Sequence, residues 1–211
     1  MRKMLLLLLC AALLGAMLSG CRRNDSNPTD GTTQMPIPST DDFVPSDSVP
    51  MGTANSQSAK ILGDIWAQYA EDERFTCYGG TVESAVNDGP GDLDMKAKDE
   101  LTSKYLIPEN RLYELSEGAS LVHMMNSNIF TAVVVKITDD GTPEDLASGW
   151  RDRIQSNQWI CGQPDRLILV RVDDSHLLMA FGAADVMTVF RGHLLEALEG
   201  ASTLYDETVT G

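Results

Sequence analysis

The chain has few of the residues from which common binding and catalytic sites are built. Its 211 residues include four cysteines, three histidines and 6% aromatic residues, and 16 Lys and Arg stand against 31 Asp and Glu. The shortage of basic residues argues against a nucleic-acid partner, because contacts to phosphates need a basic face.

Sequence motifs of several enzyme classes are also absent. The chain has no nucleophile-elbow pattern, no phosphate-binding loop and no dinucleotide fingerprint. No two histidines have the i, i+4 spacing of a zinc-binding helix, and no acidic segment has the spacing of a calcium loop. We therefore expect no metal and no cofactor, and the sequence favours a protein without catalytic activity while leaving an enzyme open.

The chain also lacks an apolar run long enough to span a membrane. A basic start, Arg2-Lys3, precedes an apolar run of about 14 residues that ends at Met17, whereas a spanning helix needs about 20 residues. The segment Leu18-Ser19-Gly20-Cys21 follows and resembles the lipobox of bacterial lipoproteins. We therefore predict that residues 1–20 are a signal peptide and that Cys21 carries acyl chains such as palmitate. The protein would then be anchored at the extracytoplasmic face of the cell membrane.

Composition separates a tether from a single globular domain. Removal of Arg2 and Lys3 leaves 14 basic residues against 31 acidic ones, a formal charge of about −17. This acidity favours solubility, with attraction to basic peptides or cations as the alternative. Residues 21–56 are rich in Pro, Ser, Thr and Asp, and we predict a disordered tether that reaches about 115 Å when extended. Residues 57–211 are predicted to form the domain.

Hydrophobic periodicity predicts an α+β domain. Helical spacing occurs over residues 58–71, 97–105, 143–157 and 183–199. Extended segments are predicted over residues 113–125, 129–137, 166–172, 176–181 and 202–206, and the glycine-rich residues 74–92 are predicted to be loop. The order gives two consecutive ββα units and hints at an internal duplication. We therefore expect an antiparallel sheet with helices packed on one face, plus an N-terminal helix.

Two cysteines remain in the predicted domain. Cys10 leaves with the signal peptide and Cys21 is lipidated, so Cys77 and Cys161 form a candidate disulfide in an extracytoplasmic protein. Closing a loop of this length would contribute about 4 kcal/mol of stability by chain entropy. Two unpaired thiols are the alternative.

Cys161 and His123 are the weak candidates for a functional site. Gly162-Gln163-Pro164 follows Cys161, so the second cysteine of a redox dithiol is missing, and the thiol would have to act as a single nucleophile beside a base. A tight turn with Cys161 partly buried is the structural alternative. His123 is expected on one face of an extended segment, where a histidine is more often packed and hydrogen-bonded than functional.

Four methionines lie on elements predicted to belong to the core. Methionine fills irregular gaps in a core, and clusters of it can also bind peptides or soft metals. We expect core packing for all four residues, which are Met124, Met125, Met179 and Met187.

Three stretches are distinctive in combination: AKILGDIWAQYAEDERF, ASLVHMMNSNIFTAVVVKI and QWICGQPDRLILV. Together they resemble a family of lipoproteins from Gram-positive gut anaerobes that is classed as a domain of unknown function, over residues 59–207. The resemblance implies a lipid anchor but no catalytic or binding residues. Some members carry the label bacteriocin transport accessory protein, which is otherwise used for thioredoxin-like proteins. Pro164 stands where a thioredoxin-like site would need its second cysteine.

These features together indicate a lipid-anchored module at the cell envelope. We expect it to bind a peptide, an envelope protein or a transport component without catalysing a reaction. A thiol-dependent enzyme or redox accessory that uses Cys161 is the alternative, and a purely structural envelope protein is a third.

Overall fold

A computed structural model describes residues 52–125, 128–160 and 162–210 of the chain. The predicted signal peptide, the lipidation site Cys21 and the tether up to residue 51 lie outside these described residues. So does Cys161. Within the described part, no helix is both long enough and apolar enough to cross a bilayer.

The four predicted helices are confirmed, with shorter bounds. Ser56 begins the first helix by accepting a hydrogen bond from the Ala59 N–H, and Thr142 begins the third by accepting one from the Asp145 N–H, with Pro143 at the first helical position. Three of the helices, α1, α3 and α4, each bury an apolar stripe against the sheet, whereas α2 buries only Leu101. In the described residues the α-helices are α1 (Gln57–Trp66), α2 (Lys98–Ser103), α3 (Pro143–Gln155) and α4 (Ala184–Ala197).

The strands form one antiparallel sheet, so the predicted α+β class with an antiparallel sheet is confirmed. Its described strands are β1 (Cys77–Gly79), β2 (Val86–Asn87), β3 (Gly91–Asp92), β4 (Leu115–His123), β5 (Phe130–Ile137), β6 (Arg166–Arg171), β7 (His176–Gly182) and β8 (Ser202–Thr208). They lie in the order β2-β1-β4-β5-β7-β6-β8, and β3 pairs with β4 beside β1.

The glycine-rich segment predicted as loop contains three of these strands. A Cβ atom on Gly79 would lie 2.1 Å from the backbone nitrogen of Gly91, so only glycine allows the two backbones to approach this closely. The same glycines remove the alternating apolar pattern by which a strand is recognised. The prediction of loop over residues 74–92 was therefore wrong for β1, β2 and β3.

Helices cover both faces of the sheet, and the prediction of helices on one face was wrong. Side chains of α3 pack with Val133, Val135 and Met179 on one face, which we call the α3 face. Side chains of α1 and α4 pack with Val134 and Ala180 on the other, which we call the α1–α4 face. Each strand contributes alternate residues to the two cores.

Connection handedness explains this arrangement. The α3 connection joins the parallel strands β5 and β6 across β7, and α4 joins the parallel strands β7 and β8 across β6. Both connections move the same way across the sheet but start from strands of opposite direction. Right-handed crossovers then place the two helices on opposite faces. The two ββα units consequently differ in arrangement, so the fold does not support the predicted internal duplication.

Candidate binding cavity

A small cavity of about 210 Å³ opens on the α1–α4 face. It lies where β4 ends, where α4 begins and where the chain leaves α1. Its described lining consists of three rings, two carboxylates, one amide and two valines: Tyr69, Phe75, His123, Glu73, Asp185, Asn128, Val186 and Val189. The volume is below the 300–1,000 Å³ that is usual for sites of drug-sized ligands, so the cavity suits a group the size of one side chain.

Aromatic rings form the inner wall of the cavity. The rings of Phe75 and His123 are stacked, with centroids 4.6 Å apart and planes 17° apart. Trp66 packs edge-on against Phe75 at 5.0 Å and tilted against Tyr69 at 4.7 Å. These rings are held from behind by Phe130, whose centroid lies 5.5 Å from that of Phe75. The inner wall is therefore built of aromatic rings that are packed against one another.

His123 ends β4 and is one of the two candidates from the sequence. Its Nδ1 accepts a hydrogen bond from the Met125 N–H at 2.9 Å, which leaves the ring proton on Nε2. Burial lowers the pKa of His123 below its usual value, so the ring is neutral at pH 7. The expectation that His123 is packed and hydrogen-bonded is confirmed, and the structure adds that it lines the cavity.

Two carboxylates stand at the cavity, and no Lys or Arg is among the described residues that line it. Glu73 Oε2 accepts hydrogen bonds from the Ala70 N–H and from His193 Nε2, both at 3.0 Å. The Ala70 bond first, and His193 after it, hold the pKa of Glu73 below its usual value. Asp185 lies in the first turn of α4 and is exposed. The cavity therefore carries negative charge at neutral pH.

Tyr69 has a polar atom that the fold does not satisfy. Its side chain is 4% exposed, and its buried hydroxyl has no hydrogen-bond partner among the described residues. Burial and the neighbouring Glu73 raise its pKa above the usual value, so the hydroxyl stays neutral. A buried polar group without a partner is costly, and the partner of such a group is commonly an ordered water or a ligand.

Exposed methionines adjoin the cavity. Met124 and Met125 follow His123 directly and are 52% and 58% exposed, so the prediction that they fill the core was wrong. Met179 and Met187 are buried, as predicted. Met124 and Met125 are exposed because β4 ends at His123, and residues beyond the end of a strand are no longer covered by the helices.

Neither candidate cysteine contributes a reactive thiol to the described part of this cavity. Cys77 is a free and fully buried thiol, and burial raises its pKa to about 12. Among the described residues Cys77 has no disulfide partner. Because Cys161 lies outside the described residues, the predicted bridge and the predicted role of Cys161 as a nucleophile both stay predictions.

A wider groove of about 870 Å³ lies elsewhere, between the 3₁₀ turn at residues 109–114 and α3. Seven of its nine described lining residues are polar or charged, among them Glu109, Arg111, Asp152 and Arg153. None of the nine is aromatic. Among the described residues, no three His, Cys, Asp or Glu side chains gather as metal ligands there or elsewhere.

The cavity residues are suited to recognition. The hydroxyl of Tyr69 and the ring of His123 are neutral, and the two carboxylates can bind a cation or accept hydrogen bonds. Sequence reasoning found His123 but missed Tyr69, Phe75 and Glu73. These three residues come from the helix-to-strand segment, and no spacing in the sequence links them to Asp185.

Comparisons with known proteins give no relative for this arrangement. The chain matches no family model, and neither the curated proteins nor the solved structures yield a match.

Proposed function

We propose that this protein is a lipid-anchored, extracytoplasmic binding module that docks a peptide segment of an envelope or secreted partner at the cavity. The observation that carries the binding role is an aromatic-walled cavity beside the exposed side chains of Met124 and Met125. Methionine is flexible and polarizable, and it is frequent on surfaces that bind peptides. The remaining support is the lipobox-like segment that ends at Cys21, the tether behind it and the resemblance to the lipoprotein family.

The anchor is tested with the full-length chain expressed in a bacterium. We expect the wild type in the membrane fraction with a fatty-acid label, and the Cys21→Ala chain released and unlabelled, because the thioether at Cys21 is the attachment point. Equal membrane retention of the two chains would contradict the anchor.

The binding role is tested with the secreted Cys21→Ala chain on an array of synthetic peptides of defined basic, acidic, neutral and apolar composition. We expect saturable binding to a subset of peptides. A Met124→Ser, Met125→Ser double variant should weaken that binding about 10-fold or more, since hydrophobic contacts of this size contribute on the order of 1–3 kcal/mol. Val82→Ser is the matched control, because Val82 is 69% exposed and does not line the cavity.

Two results would overturn the binding role: the absence of saturable binding to every peptide, or an equal loss in Val82→Ser. The thiol-enzyme alternative rests on Cys161 alone, since Cys77 is buried and protonated. Rapid alkylation of Cys161, with an apparent pKa well below 8.5, would favour that alternative.

A further inference from the structure

We propose that the cavity binds the cationic end of a lysine or arginine side chain carried by the partner peptide. This inference rests on the proposed binding role and names the group that enters the cavity. The occupant follows from the size, the walls and the charge of the cavity, taken together.

Size limits the occupant to one side chain. The cavity holds about 210 Å³, which is too small for a folded element or a drug-sized ligand. A lysine or arginine side chain is long and thin, and its methylene stem can lie along apolar surface while the charged end goes deeper or stays wet. Val186 and Val189 supply the apolar surface for such a stem.

The aromatic wall is suited to a cation. The face of an aromatic ring attracts an ammonium or guanidinium within about 6 Å of its centre. This cluster already binds one such group on its outer side, where the Arg74 guanidinium lies 5.2 Å from the centre of the Trp66 ring. Arg74 also donates to the backbone carbonyls of Tyr69 and Trp66 and is not part of the described cavity lining. No Lys or Arg is among the described residues that line the cavity, so within the described part no internal cation is placed against the rings that line it.

Charge selects a cation over a neutral side chain. Glu73 and Asp185 line the cavity without a Lys or Arg among its described residues. Within the described part of the chain, the Glu73 carboxylate accepts hydrogen bonds from the Ala70 N–H and from His193 and has no other partner. The unpartnered hydroxyl oxygen of Tyr69 can accept a hydrogen bond from an ammonium or guanidinium N–H. Acidic residues outnumber basic ones in the whole chain, which also draws basic peptides toward it.

The test uses the secreted Cys21→Ala chain and four capped tripeptides, acetyl-Ala-X-Ala-amide, in which X is Lys, Arg, norleucine or Gln. Norleucine keeps an apolar stem close to that of lysine without the charge. Backbone amide shifts of His123 and Val186 report on occupancy during a titration. We expect saturable shifts with Lys and Arg, and at least about 10-fold weaker binding of norleucine and Gln, because a charge-assisted hydrogen bond and a ring contact are lost.

Two acid variants separate charge from shape. Glu73→Gln and Asp185→Asn should each weaken the Lys and Arg tripeptides, by about 10-fold for Glu73→Gln, and should leave norleucine binding unchanged. Glu83→Gln is the matched control, because Glu83 is exposed and lies outside the described cavity lining. Amide spectra of each variant verify the fold. If Glu73→Gln disturbs the segment after α1 because the Glu73 hydrogen bonds are lost, Asp185→Asn still tests the role of charge.

Equal affinity for the Lys and norleucine tripeptides would overturn the inference and assign an apolar side chain to the cavity. Unchanged affinity for the Lys and Arg tripeptides in both acid variants would also overturn it. So would the absence of amide shifts with all four tripeptides. The proposed binding role is judged separately, because it fails only if the peptide array shows no saturable binding that depends on Met124 and Met125.

Discussion

The two faces of the sheet differ in how the polar atoms of their buried Trp and Tyr side chains are bonded. On the α3 face, Trp150 is fully buried and its indole N–H donates to the Tyr105 carbonyl at 3.0 Å. The Tyr105 hydroxyl donates in turn to the Gly80 carbonyl and accepts from Ser120. The polar atoms of the two fully buried rings, Trp150 and Tyr105, are thus satisfied inside the protein. The half-buried Trp159 packs on the same face, and its indole N–H has no partner among the described residues.

On the α1–α4 face the comparable atoms have no partner among the described residues. Trp66 and Tyr69 are 6% and 4% exposed, yet the indole N–H and the hydroxyl are both unpaired within the described part of the chain. Tyr69 lines the cavity, and Trp66 packs behind it against Tyr69 and Phe75. Under the proposed function, this end of the α1–α4 face gives up some stability to keep the Tyr69 hydroxyl for a ligand.

Trp150→Ala is the substitution with the largest expected effect on this comparison. We expect a loss of about 4 kcal/mol in the free energy of unfolding, because a fully buried indole leaves a cavity and an unpaired Tyr105 carbonyl. Denaturant unfolding followed by circular dichroism measures the loss. Ile160→Ala is the control, since Ile160 is 94% exposed and should change stability by less than about 0.5 kcal/mol. A small effect of Trp150→Ala would remove the distinction between the two faces.

The second test concerns how α1 is held on its face. Asp92 in β3 accepts hydrogen bonds from the Thr53 hydroxyl, the Asn55 N–H, and both the N–H and the hydroxyl of Ser56. Ser56 caps α1, so these bonds fasten the helix to the sheet. We expect Asp92→Ala to lower the free energy of unfolding by about 2 kcal/mol, because hydrogen bonds to a charged acceptor are lost. Glu83→Ala at an exposed site is its control.

The effect of Asp92→Ala should depend on pH. Burial alone would raise the pKa of Asp92, but the bonds from Ser56, Asn55 and Thr53 outweigh burial and lower it. The unfolded carboxyl titrates near pH 4, so the contribution of Asp92 is complete above that pH and is lost as the pH falls through the lower folded pKa. The stability difference between wild type and Asp92→Ala should therefore narrow below about pH 4. A difference that stays constant down to pH 2 would show that the charge of Asp92 is not involved.

A matched pair of substitutions gives the sharpest comparison with a smaller effect. Trp150→Phe and Trp66→Phe both remove an indole N–H and a similar volume. Only Trp150→Phe leaves a buried acceptor, the Tyr105 carbonyl, without its donor. We expect Trp150→Phe to lower the free energy of unfolding by about 1–2 kcal/mol more than Trp66→Phe. Equal losses of unfolding free energy would mean that the indole N–H of Trp66, like that of Trp150, donates to a buried acceptor.

The smallest expected effect is that of a reductant. Because Cys77 is a free thiol, we expect reduction to leave the melting temperature unchanged. Denatured but unreduced protein should take up an alkylating label at Cys77. Native protein should resist that label, because the thiol is fully buried with a pKa of about 12. A bridge to Cys161 would instead block the label until reduction and would cost about 4 kcal/mol when reduced.

Local patterns in the sequence determined most of the elements. The β-branched run of β5, the Thr142-Pro143 start of α3 and the apolar spacing of α4 each identify an element without knowledge of its neighbours, because propensity, capping and periodicity act over a few residues. The apolar run of β5 is nearly unbroken and β7 is fully buried, and both features indicate more than a strand. Such strands are covered on both faces.

Only the tertiary structure decided which face of the sheet each helix covers and which residues line the cavity. The helices lie on opposite faces because connection handedness depends on strand order, which no single element specifies. Tyr69, Phe75, His123 and Asp185 meet because α1, β4 and α4 end or begin at the same place on one face. The sequence by itself determined that an α+β domain with an antiparallel sheet forms, through short-range preferences. The position of a cavity depends on contacts between residues more than 100 positions apart, such as His193 with Glu73, and only the folded chain brings these residues together.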